Sequence, residues 1–123
     1  MSRVSIFLTA LLLVPASASL AEAACRIRGY GFHVEQNDRA TYEATMDSNG
    51  CRHVYGVSGF LTIQKTVIMI RPANGTLSQT GEFSFFYKPK PGFSGKDSYV
   101  VYVCGTSRRG TGCSRLTYNA IVQ

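Results

Sequence analysis

The chain has 123 residues and a formal net charge of +6. About one hundred residues follow the first two dozen, which reads as one domain. The excess of Lys and Arg favours anionic partners such as lipid headgroups or acidic glycans. The cations are scattered, so the first reading is a solvated basic surface, and a nucleic-acid partner is not expected.

Met1 to Arg3 give a short basic start, and Val4 to Val14 form an apolar run too short to span a bilayer. Ala16-Ser17-Ala18 and Ala21-Glu22-Ala23 follow as small-residue cleavage boxes. Residues 1–23 therefore read as a secretory signal peptide cleaved after Ala23, and 24–123 as the domain. Ala23-Ala24 before Cys25 touches a lipoprotein pattern, but Glu22 stands where an apolar residue is wanted. No later stretch reads as membrane-spanning.

The domain holds all four cysteines, Cys25, Cys51, Cys104 and Cys113. An even count behind a leader reads as two disulfides in an oxidising compartment, periplasmic or secreted. Of the three connectivities that four cysteines allow, the expected one pairs Cys104–Cys113, closing a hairpin loop, and Cys25–Cys51, tying the first strand to the next hairpin. Each would contribute about 3 kcal/mol in the chain-entropy model.

The rest shows strand alternation and turn clusters without helical periodicity, so the class is all-β. Cys25 to Val34 is a first strand interrupted at Gly29 and Gly31. Ala40 to Met46 alternates, with Ala40, Tyr42, Ala44 and Met46 on one side. Asp47 to Gly50 is a hairpin turn signal, across which Arg52 to Val57 pairs back. Phe60 to Ile63 and Thr66 to Ile70 follow, the latter apolar on both faces and so expected to be central. Pro72 to Gly75 breaks it. Asn74-Gly75-Thr76 matches a glycosylation sequon but reads first as a turn.

Phe83, Phe85 and Tyr87 share a face, and burying each such ring stabilises the fold by about 2–3 kcal/mol. They are therefore core. Pro89 and Pro91 make Lys88 to Lys96 an ordered corner. Tyr99 to Cys104 is a second central strand, Gly105 to Gly112 a polar tip, and Ser114 to Val122 the closing strand. The strand count and spacing predict an antiparallel sandwich of about 7–8 strands.

Three elements within Ile70 to Val103 carry a resemblance: Pro72-Ala73-Asn74-Gly75-Thr76-Leu77, Tyr87-Lys88-Pro89 and Gly92-Phe93-Ser94-Gly95-Lys96-Asp97-Ser98-Tyr99. This stretch resembles the C-terminal half of the bacterial Ig-like, cadherin-like repeats of secreted and surface proteins. The resemblance implies an Ig-like sandwich and marks fold, not activity. The octet makes physical sense as a corner between sheets. Gly92 and Gly95 supply unusual backbone angles, Phe93 plugs the open end of the core, and Asp97 caps the turn locally. The repeats often hold calcium at tandem junctions, but the clustered Asp/Asn runs that this needs are absent here, so no cofactor or metal is expected.

Reactive groups are sparse. His33, Glu35, Arg52 and His53 are the only candidates for a small secreted basic hydrolase of ribonuclease-like type. Arg108 and Arg109, on a loop that Cys104–Cys113 would rigidify, are the better candidates for recognition. The sequence thus predicts a monomeric, exported, non-enzymatic binding or structural module of the bacterial envelope. Its partner would be a protein or an anionic glycan or envelope surface. The alternatives are the hydrolase or an enzyme inhibitor.

Overall fold

A computed structural model describes residues 25–56 and 60–123. The expected leader, the end of the Arg52–Val57 strand and Gly59 lie outside the described residues. Eight strands follow in chain order: β1 (Arg26–Arg28), β2 (Arg39–Met46), β3 (Cys51–Val54), β4 (Thr62–Ile70), β5 (Gly75–Gly81), β6 (Ser84–Pro89), β7 (Gly95–Ser107) and β8 (Gly110–Val122). They form two sheets, ordered β1-β2-β8-β7-β4 and β3-β6-β5. Each sheet turns one face inward, and the layers close over a shared core, as a two-sheet sandwich requires. Every neighbouring pair is antiparallel except β2 and β8, which run parallel from Arg39–Arg115 to Met46–Val122.

Alternation decides which residues meet in the core. Ala44 and Met46 of β2, Tyr99, Val101 and Val103 of β7, and Leu116, Tyr118, Ala120 and Val122 of β8 point inward. They meet Leu77 of β5 and Phe85 and Tyr87 of β6 from the facing sheet. Phe93 packs against the edge of this cluster, as the corner reading requires. Gly92 and Gly95 both hold positive φ, at 78° and 127°.

The disulfides join the expected cysteines. Cys25–Cys51 links the residue before β1 to β3 and so staples one sheet to the other. Cys104–Cys113 differs from expectation in role. The β7–β8 ladder continues past it to Ser107 and Gly110, so the bond joins directly opposed strand residues, and the tip is only the turn at Arg108 and Arg109. The ladder, not the disulfide, sets the shape of this hairpin.

Several sequence expectations give way to long-range packing. The first strand stops at Arg28 instead of reaching Val34. Gly29 passes so close over Tyr42 that a Cβ there would sit 2.5 Å from the ring. The chain then forms a single 3-10 turn, Val34–Gln36, against the start of β8. Asn37 Oδ1 accepts the Cys113 N–H at 3.0 Å, and the Asp38 carbonyl accepts the Arg115 N–H at 2.8 Å.

The Asp47–Gly50 turn is not a hairpin, because β2 lies in one sheet and β3 pairs with β6 in the other. Gly50 crosses between layers with φ 88°, where any Cβ would strike the Tyr87 carbonyl. The β4 strand is an edge, not a centre, because the chain leaves for the facing sheet at Pro72–Asn74 and, among the described residues, nothing pairs beyond it. Register shifts at Ile63/Lys65 and Ile68/Ile70 interrupt this edge, a device that discourages further strand pairing. Strand β6 also runs two residues, Lys88 and Pro89, into the expected corner, ending at Pro89 opposite Gly75. The Lys90 N–H points to β5, so the missing Pro89 N–H faces the side from which β3 has already ended. No ladder bond is lost there.

Asp97 reaches further than a local cap. Its carboxylate accepts the N–H groups of Ala73 at 3.1 Å, Asn74 at 3.0 Å and Ser98 at 2.9 Å, and the Tyr87 hydroxyl at 2.8 Å. One buried side chain thus ties together the Pro72 turn, the end of β6 and the start of β7.

Candidate functional site: the basic sheet face and the hairpin tip

The pleat sends alternate residues of the five-stranded sheet outward, and the register shows which of them share a row. Arg28, Glu43, Asn119 and Ser98 lie opposite one another across β1, β2, β8 and β7. Arg26, Thr45, Ile121 and Lys96 form the adjacent row. Arg39, Arg115 and Tyr102 form another toward the hairpin tip, and Lys65 stands opposite Cys104 beyond it. This face therefore collects Arg26, Arg28, Arg39, Lys65, Lys96 and Arg115, with Glu43 as the one carboxylate at an outward position on its strands. All six cations are exposed except Arg115, which is half-buried. None of them makes an ion pair among the described residues, where the one pair found is His33 with Glu35 at 3.8 Å. Unpaired like charges on one face create a positive potential that an anionic partner would relieve.

The predicted site residues Arg108 and Arg109 occupy the turn between β7 and β8. Arg108 is exposed, and its guanidinium lies 3.4 Å above the Phe60 ring centre. Such a contact contributes about 0.5–1 kcal/mol at an exposed site and keeps the charge available. Arg109 is exposed, its N–H bonded to Ser107 Oγ at 3.1 Å. Both arginines border a hollow shared with His33, Glu35, Phe32 and Phe60.

The structure separates the residues considered for hydrolysis. His33 and Glu35 sit beside the tip, whereas Arg52 is exposed on the outside of β3. His53 is 2% exposed and faces the core, because β3 alternates inward at Cys51 and His53. The two histidines therefore do not share a site, and His53 is not a surface residue. Its Nε2 meets the Tyr99 hydroxyl, and its ring lies 4.3 Å from that of Tyr118.

Tyr87, Tyr99, Tyr118 and Tyr42 stack in succession at 4.9, 5.4 and 5.3 Å between ring centres. The Tyr118 hydroxyl meets that of Tyr55 at 2.6 Å. Burial pushes Tyr118 up to about 12 and raises Tyr55, Tyr87 and Tyr99 well above the ordinary phenol value, because desolvation disfavours the phenolate. These hydroxyls act as neutral structural bridges.

Among the described residues, no group of three or more His, Cys, Asp or Glu side chains is placed to hold a metal ion. No helix there is long and apolar enough to cross a membrane.

Sequence reasoning missed the basic face. The outward alternation of Arg39 and Glu43 is visible in β2, but which strands flank it is not. The cations come from five strands that are distant in sequence and adjacent only in the sheet. No family model matches the chain, and no curated protein matches its sequence.

Proposed function

We propose that this chain is an exported, non-catalytic binding module of the bacterial envelope. It docks an anionic partner on the outer face of its five-stranded sheet. One observation carries this reading: six cations and a single carboxylate share that face, and none of the cations is ion-paired among the described residues. The two disulfides suit an oxidising compartment and agree with an N-terminal leader. The Ig-like, cadherin-like resemblance supports a surface-protein setting. The tip at Arg108 and Arg109 is an accessory contact here, and the hydrolase alternative loses its second histidine to the core.

The test is co-sedimentation of the mature domain with phosphatidylglycerol vesicles and its retention on an acidic polysaccharide matrix. The triple variant R26E/R28E/K96E should lose more than about tenfold in apparent affinity, since each cation near an anionic surface contributes about 1 kcal/mol. The R108A/R109A variant should lose less than about threefold. A larger loss at the tip than on the sheet face would move the site to the tip. Retention of full binding by both variants would end the anionic-partner reading.

A further inference from the structure

We propose that the basic face contains a built subsite for an anionic oligosaccharide, resting on the reading of that face as the docking surface. A hollow of about 510 Å³ opens where β2, β8 and the start of β7 meet the turn after β4. That is within the size range of small-ligand sites. Glu43, Lys96, Ser98 and Asn119 line it from the strands, Asn74 walls it from the turn after β4, and Ile121 supplies an apolar patch.

The Asp97 carboxylate, which also lines the hollow, is engaged by four donors within the protein, and the other polar side chains there are free. Asn74 and Ser98 engage Asp97 only through their backbone N–H groups. Among the described residues, the side chains of Glu43, Lys96, Ser98, Asn119 and Asn74 have no hydrogen-bond or ion-pair partner within the protein. The wall is also fixed, because Asp97 holds the backbone of Ala73 and Asn74. Preorganisation of this kind lowers the entropic cost of binding.

The mixture of groups selects the ligand class. Glu43 only accepts, Lys96 only donates, and the serine hydroxyl and the two amides do both. A phosphodiester or a carboxylate side chain offers acceptors alone and would set its charge against Glu43. A sugar hydroxyl donates to that carboxylate and accepts from Lys96 or an amide. The flanking Arg26 and Arg28 then call for an acidic group elsewhere on the same ligand. Lys96 on β7 and these arginines on β1 are separated by three strand spacings, about 14 Å. One ligand can reach both only as an oligosaccharide.

The experiment is isothermal titration of the mature domain with a uronic-acid oligomer, oligogalacturonate, and with polyglutamate of matched charge. Wild type should prefer the oligogalacturonate. The S98A/N119A variant should weaken oligogalacturonate binding by about tenfold, the loss of two hydrogen-bonding groups, and leave polyglutamate within about twofold. R26E/R28E should weaken both. Unchanged oligogalacturonate affinity in S98A/N119A, or an equal loss for the two probes, overturns the saccharide subsite and leaves a charged surface only. If R26E/R28E leaves both probes unaffected while S98A/N119A loses the saccharide, the electrostatic reading of the face fails and the subsite stands.

Discussion

His53 shows at the residue scale how a polar side chain becomes part of a core. One ring nitrogen meets the Tyr99 hydroxyl, while Nδ1 is buried without a hydrogen-bond partner among the described residues. Desolvation lowers its pKa from 6.5 to about 4, since the imidazolium cannot be hydrated there. The unfolded chain thus binds this proton more readily than the folded one at intermediate pH. The stability contribution is complete above about pH 6.5 and is lost as pH falls toward about 4, a change on the order of 3 kcal/mol. Urea unfolding at several pH values should show this slope in wild type and lose it in His53→Phe. An unchanged slope in the variant would assign the acid sensitivity elsewhere. Asp97 illustrates the opposite solution, a buried carboxylate with four donors.

Among the elements, the two disulfides have different duties. Cys25–Cys51 crosses between sheets and closes a loop with a sequence separation of 26, whereas Cys104–Cys113 joins facing strand residues with a separation of 9. In the chain-entropy model the longer loop is worth more, about 3.5 kcal/mol against about 2.5 kcal/mol. The short β1 also has little besides its staple to hold it, since only Arg26 to Arg28 pair with β2. C25S/C51S should therefore lower the melting temperature more than C104S/C113S, as thermal unfolding by circular dichroism would report. The reverse order would mean that the β7–β8 ladder depends on its cross-strand bond. The same register makes the hairpin tip a tight turn, so the arginines there are positioned by the ladder and by Phe60.

For the whole molecule, the net charge of +6 becomes directional once the sheets assemble. Six of the cations face one way, and an anionic ligand on that face would feel them together. Binding to oligogalacturonate or to phosphatidylglycerol vesicles should therefore weaken steeply as salt rises from 0.05 to about 0.5 M, because the Debye length shrinks below the spacing of the charges. The R26E/R28E/K96E variant should show a much shallower salt dependence in the same titration. Equal slopes would show that attraction to this face does not drive association.

Read alone, the sequence determined the all-β class, the inward residues of β2 and β6, the pairing of all four cysteines and the glycine corner. Each rests on local physics: alternation with period two, buried aromatic area, thiol pairing in a small domain and backbone angles open to glycine. Only the tertiary structure decided that the apolar β4 is an edge, that His53 is core, and that Asp97 links three segments. It also decided that scattered cations share one face. Local pattern tells a residue which side of its own strand it occupies. Which strands become neighbours, and in what register, depends on chain crossings between the layers at Gly50 and Pro72, and no short window of sequence contains both partners.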